Sequence, residues 1–150
     1  MVRYAMYQPM MTETVHLILP CNLKIPLFLS FVRASFPSPA DDYKERPFDL
    51  DELVIQHLGA IFYVKVSGES MKDAGITDGD VLVVDRVINV THNAIIVAVL
   101  NGEFTVKRLH QENETIYLVP ANPLYQPIQV TEDMHFQVWG VVTYCIRKVR

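Results

Sequence analysis

Two residues in this sequence carry the side-chain chemistry of acyl transfer: a serine in a glycine-bearing turn and a lysine inside an apolar strand. The run Val66-Ser67-Gly68-Glu69-Ser70-Met71-Lys72-Asp73 follows a β-branched and aromatic stretch and leads toward a turn of helix. A sharp turn there exposes the Ser70 hydroxyl, and backbone N–H groups of the turn, at Gly68 and Met71, are candidates for holding an oxyanion. Serine and glycine are also ordinary turn residues, so the hydroxyl needs an activating partner before it counts as a nucleophile. Lys107 is a candidate, because Phe104-Thr105-Val106-Lys107-Arg108-Leu109 has the composition of a strand. A desolvated lysine loses basicity and can then accept a proton from a serine hydroxyl near neutral pH. Serine–lysine pairs are a known variant of triad logic. An isolated Lys-Arg pair reads equally as solvated charge on a strand edge. A Ser-His-Asp triad stays open, although His16, His57, His92, His110 and His135 have no accompanying acid in any recognisable arrangement.

The elements that must position these side chains follow from turn signals and apolar runs. Asp49, with Glu52 three residues on, is placed to cap a short helix through Gln56, with Leu50, Leu53 and Val54 as its apolar face. Beyond Gly59 the chain alternates turn residues with β-formers. Strands are expected at Ile61–Ser67, Val81–Arg86, Ile95–Leu100, Glu103–Leu109, Thr115–Val119 and Phe136–Ile146. Asn101-Gly102 is the strongest hairpin signal, since both residues tolerate the positive φ of a type I′ turn. Trp139 and Phe136, on one side of an alternation with Val138 and Val142, read as core or dimer-interface residues. The expected fold is mainly β: a folded-over antiparallel sheet or partly open barrel, with one short helix.

The chain has 150 residues, 50% of them hydrophobic, which suits one compact domain with a short arm and excludes wholesale disorder. Thirteen Lys and Arg against 17 Asp and Glu give a net charge of -4, the wrong sign for direct, sequence-specific DNA binding. Arg147, Lys148 and Arg150 read as a solvated basic tail. Cys21 and Cys145 lie far apart, so neither a disulfide framework nor a zinc site is encoded; no metal or cofactor is called for, and a reducing cytoplasm is the expected compartment. Val15 to Phe31 is too polar and too broken by Pro20 and Pro26 to span a bilayer. Residues 1–34 read as an arm. Residues 35–48, holding Phe36-Pro37-Ser38-Pro39-Ala40, read as an extended linker, and 49–150 as the β-rich domain.

Taken in order, Phe36-Pro37-Ser38-Pro39-Ala40, Ser67-Gly68-Glu69-Ser70-Met71, Gly79-Asp80, Gly102-Glu103-Phe104-Thr105-Val106-Lys107-Arg108-Leu109 and Pro120-Ala121-Asn122-Pro123-Leu124-Tyr125 resemble the UmuD branch of the LexA/UmuD self-cleaving peptidases. The resemblance runs from about Phe31 to the C-terminus. It implies that Ser70 is the nucleophile, Lys107 its general base, and Ala34-Ser35 the bond cut in the chain's own arm. Two positions depart from the family pattern. The family usually has Gly after the cut, where this chain has Ser35, and often Gly-Asp where this chain reads Asn93-Ala94. Asn93 tolerates a left-handed turn, whereas Ala94 offers no carboxylate for a capping bond.

Thirty-four residues before Ser35 are too few for a helix-turn-helix domain with its own core, which argues against a repressor. The resemblance therefore implies a cytoplasmic SOS-response protein. Stimulated by a RecA–single-stranded DNA filament, it would cut its own arm to become the homodimeric accessory subunit of an error-prone Y-family (UmuC-like) translesion polymerase. Two other readings are an uncleaved interaction subunit of the polymerase and a serine–lysine peptidase acting on other chains.

Overall fold

The computed structural model describes residues 25–28, 45–48, 50–57 and 59–150. These fall into two compact units: His57–Arg150, and the described residues up to Gln56. Ala34, Ser35 and the expected cap Asp49 lie outside the described residues.

The smaller unit holds β1 (Ile25–Phe28), β2 (Glu45–Phe48) and α1 (Leu50–Val54). β1 and β2 pair antiparallel, from Ile25 opposite Phe48 to Phe28 opposite Glu45. The expected arm and the expected linker thus each contribute one strand to a single ladder. Pro26 faces Pro47, so one position of the ladder has no N–H on either side. α1 stops at Val54, two residues short of the expected Gln56. A single turn has little stability of its own, and the β-branched pair Val54-Ile55 does nothing to prolong it. Of its expected apolar face, Val54 is buried, whereas Leu50 and Leu53 are exposed.

The larger unit is one open antiparallel sheet of seven strands among the described residues, in the order β3-β4-β9-β5-β6-β7-β8. The strands are β3 (Ile61–Lys65), β4 (Val81–Asp85), β5 (Ile95–Leu100), β6 (Glu103–Glu112), β7 (Thr115–Val119), β8 (Ile128–Val130) and β9 (Phe136–Ile146). The mainly β, LexA/UmuD-like fold expected from the sequence is therefore present. β6 runs three residues beyond expectation because His110 to Glu112 continue the ladder onto β7. The three-residue β8 was not expected; so short a strand leaves no readable alternation. Asn101 and Gly102 have φ of 50° and 83°, the positive pair that the hairpin between β5 and β6 requires.

β5 is apolar throughout because both its faces are covered. Val97 joins a core with Met71, Ile76, Leu82 and Val84, while Ile96 and Ala98 join a second with Leu109 and Leu118. β9 serves both cores through two irregularities. Its register on β5 skips Trp139, and its register on β4 skips Thr143. Each extra residue bends the strand and resets its alternation. Phe136 and Val138 face the second core, and Trp139 and Val142 the first. The single-sided alternation expected for these four residues is corrected accordingly: Trp139 lies opposite Phe136 and Val138 by ordinary alternation, and the extra residue carries Val142 to the same side as Trp139.

Gly140 follows the first irregularity. A Cβ there would lie 2.8 Å from the Asp85 carbonyl oxygen and 2.8 Å from Val84 Cγ1, so the strand approaches β4 too closely for any side chain. Gly140→Ala should therefore lower stability by about 1–3 kcal/mol, the usual cost of overpacking, read as an earlier urea midpoint with an unchanged slope.

Candidate functional site

β3 leads into a loop whose base is closed by two backbone bonds, from Val66 N–H to the Asp80 carbonyl (2.8 Å) and from Gly79 N–H to the Val66 carbonyl (2.9 Å). Within the loop Gly68 has φ of 97°, a left-handed value that a side chain disfavours. Its N–H donates to Asp78 Oδ1 at 2.8 Å. Gly68 is thus the turn residue, and its N–H is occupied rather than available to an oxyanion. Ser70 stands two residues on, followed by a 3-10 turn at Lys72–Ala74 that ends on Gly75, also left-handed.

The serine-bearing segment is tied to the chain beyond β7. Ala121 N–H donates to the Ser70 carbonyl and Asp73 N–H to the Ala121 carbonyl, both at 2.8 Å. Asn122, almost fully buried, donates its Nδ2 to the Glu69 carbonyl at 2.9 Å and accepts Leu124 N–H on Oδ1 at 3.0 Å. The buried Met71 side chain anchors the segment in the first core.

Lys107 stands on β6, and the fold brings its Nζ to 3.0 Å from Ser70 Oγ, across 37 residues of sequence. Nζ also donates to Thr105 Oγ1 (2.9 Å) and to the Val106 carbonyl (3.0 Å). An ammonium has three donors, and this site offers three acceptors. When the proton leaves, Thr105 and Val106 hold the two remaining N–H groups and the lone pair is left for the Ser70 hydroxyl. Burial pushes the Lys107 pKa below its ordinary value, so the neutral amine forms at lower pH than on a solvated lysine. The pair opens onto a cleft of about 290 Å³ walled by Val64 to Gly68, Met71 and Phe104 to Val106. Thr105 was missed from sequence; its position two residues before Lys107, on the same strand face, was the available signal.

Two charge pairs also differ from expectation. Arg147 is not solvated tail: its Nε lies 2.8 Å from Asp80 Oδ1 and its Nη2 2.5 Å from Oδ2, and Asp80 is buried. The Arg147 guanidinium holds the Asp80 carboxyl far below the usual carboxylate range. His57 does have an acid: its Nδ1 is 2.6 Å from Asp85 Oδ2, a contact made because β3 pairs with β4. Burial pushes the Asp85 carboxyl up, but the hydrogen bonds from His57 and the Val87 N–H outweigh it and leave the pKa lowered. Asp85 sits at the end of β4 remote from the serine loop, roughly 13 Å of strand away, so this pair does not serve Ser70. At the turn before β5, Asn93 takes φ of 69°, as its residue type allows. Next to it, His92 Nδ1 accepts Gln111 N–H at 3.0 Å. Among the described residues no cluster of three potential metal ligands occurs, and no helix is long and apolar enough to cross a membrane.

A mainly β, LexA/UmuD-like sheet with a serine hydroxyl against a desolvated lysine amine defines the class. The chain belongs to the peptidase S24-like family, which it matches over residues 26–143. It is 43% identical to protein SamA of Salmonella typhimurium over 131 residues, 87% of this chain and 91% of that one. It is 41% identical to protein MucA of Salmonella typhimurium over 123 residues, 81% and 84% of the two chains. The likeness to the LexA repressor of Syntrophotalea carbinolica, 47% over 92 residues, covers 61% of this chain and 46% of the repressor. The UmuD branch expected from the motifs fits this pattern of coverage.

The lowered Lys107 pKa has a stability consequence. Between that lowered value and about 10.5 the unfolded chain binds a proton that the folded chain does not, so stability rises with pH across this window. Lys107→Met should abolish that rise, which urea midpoints taken from pH 7 to 10 will detect.

Proposed function

We propose that the chain is a self-cleaving serine peptidase of the UmuD type, and the observation that carries this reading is the 3.0 Å approach of Lys107 Nζ to Ser70 Oγ in a desolvated cleft. In the reaction, neutral Lys107 takes the Ser70 proton as Oγ attacks the Ala34 carbonyl carbon. The oxyanion role falls to the Met71 N–H, since that of Gly68 is engaged by Asp78. The protonated amine then gives its proton to the departing Ser35 nitrogen. Water, deprotonated by the same lysine, releases the acyl group from Ser70.

The tether makes the attack intramolecular, so the trigger has only to bring the arm into the cleft. In this reading the trigger is a RecA–single-stranded DNA filament, in the cytoplasm of a cell responding to DNA damage. The product, residues 35–150, is a homodimeric accessory subunit of a Y-family translesion polymerase in SOS mutagenesis. Relatives with coverage above four-fifths on both sides support a short-armed protein of this type over a repressor.

Ser70→Ala and Lys107→Ala should each lower self-cleavage at least about a hundredfold while the fold persists, followed by intact mass with and without RecA, nucleotide and single-stranded DNA. Without RecA, the wild-type rate should climb as pH passes upward through the lowered Lys107 pKa, because only the neutral amine accepts the proton. A rate flat from about pH 7 to 10 would remove lysine from the base role.

Ser35 carries the chain's departure from the usual glycine. Its Cβ restricts φ and adds bulk in the cleft, so Ser35→Gly should cut faster. Removal of Arg3, Lys24 and Arg33 together with Glu13 takes the formal charge from -4 to -6, making the product resolvable by isoelectric focusing as well as mass. A chain refractory to RecA until Ser35 becomes glycine would favour the uncleaved interaction subunit instead.

A further inference from the structure

Arg147 lies three residues from the C-terminal Arg150, and its guanidinium reaches back to the serine loop. Beyond the bidentate contact with Asp80, its Nη2 donates to the Gly75 carbonyl at 2.7 Å. Gly75 is the residue on which the turn after Ser70 ends: its N–H donates to the Lys72 carbonyl, and those of Ala74 and Ile76 both donate to the Met71 carbonyl. Asp80 is the other fixed point. Its carboxylate accepts Thr77 N–H on Oδ2 at 2.8 Å, and its backbone closes the loop against Val66. One guanidinium therefore grips the loop at the end of the serine turn and again at the loop's exit. The same loop is also gripped by Ala121 and Asn122.

We propose that Arg147 is a positioning residue for Ser70, acting through Gly75 and Asp80 to hold the hydroxyl at Lys107. This rests on the reading of Ser70 as nucleophile. Arginine suits the task because its planar fork meets both carboxylate oxygens while a further N–H remains for a carbonyl. The neighbouring Cys145 Sγ, 3.3 Å from Asp80 Oδ2, adds a weaker contact to the same carboxylate. A purely structural role, in which Arg147 only neutralises a buried carboxylate, makes a different prediction from a clamp: removing the carboxylate charge would then make the arginine dispensable.

The test uses the full chain, comparing wild type with Arg147→Lys, Arg147→Ala and the double variant Asp80→Asn/Arg147→Ala, at a temperature where each is folded by circular dichroism. Alkaline self-cleavage is the first readout. Arg147→Ala should be slowed at least tenfold and Arg147→Lys partly restored. The double variant, relieved of its unpaired buried charge, should regain stability without regaining rate. Wild-type cleavage by Arg147→Ala, or by the double variant, overturns the proposal. Hydrogen exchange over residues 67–80 is the second readout. If the wild-type chain itself stays uncut, the self-cleavage reading fails and exchange alone decides the clamp: faster exchange in Arg147→Ala, with β5 and β6 unchanged, sustains it, and unchanged exchange overturns it.

Discussion

Everything around the cleft answers to one constraint, the stationing of a lysine amine where water is scarce. An ammonium taken out of water is costly unless its donors are met. Ser70 Oγ, Thr105 Oγ1 and the Val106 carbonyl meet all three. Two of these acceptors belong to β6 itself and are set by the strand. The third is delivered by the loop between β3 and β4, and its 3.0 Å separation persists only if that loop is held. The number of bonds spent on holding Glu69, Ser70 and the following turn is explained by this requirement, since none of those backbone groups belongs to a strand ladder.

The sheet supplies the rigid frame through β4 and β9. β4 is bracketed by two buried carboxylates, Asp80 and Asp85, each closed by a cation or imidazole from elsewhere in the chain. Between them Leu82, Val83 and Val84 have no exposed surface, so the strand's register is fixed by both burial and charge. β9 lies against β4 and β5 and carries two extra residues, which let one long strand serve two cores. Its far end carries Arg147 to the serine loop. Strand irregularity, core division and loop support are in this way consequences of a single strand's path.

Legibility in the sequence followed the range of the interaction. Apolar runs and turn pairs are local signals, and β5, β7 and β9 were bounded from them without error. Asn101-Gly102 carried its own backbone requirement and met it. The partners of Asp80 and Asp85 were invisible because they lie 67 and 28 residues away and have no spacing that marks them. The face of Val142 was hidden for a related reason: an extra residue in a strand is defined by the partner's register, which alternation within one strand cannot reveal. The approach of Lys107 to Ser70 was legible only because several motifs in order resembled a family; neither residue, taken singly, outweighed a turn serine or an edge lysine.

The smaller unit adds a constraint of its own on any chemistry at Ala34-Ser35. β1 precedes that bond in sequence and β2 follows it, and the two strands are paired, so the intervening chain begins and ends a strand spacing apart. Closing a loop by pairing removes part of the conformational freedom that a free arm would have to lose on entering a cleft, and the loss grows only slowly with loop length. The ladder that does this is four residues long and has Pro26 opposite Pro47. A two-stranded ladder is marginal in water even with its donors intact. On the self-cleavage reading proposed above, a bond between two such strands would be tethered through a pairing that restricts its search but that small forces can undo, the physical condition under which binding elsewhere on the chain can shift a population.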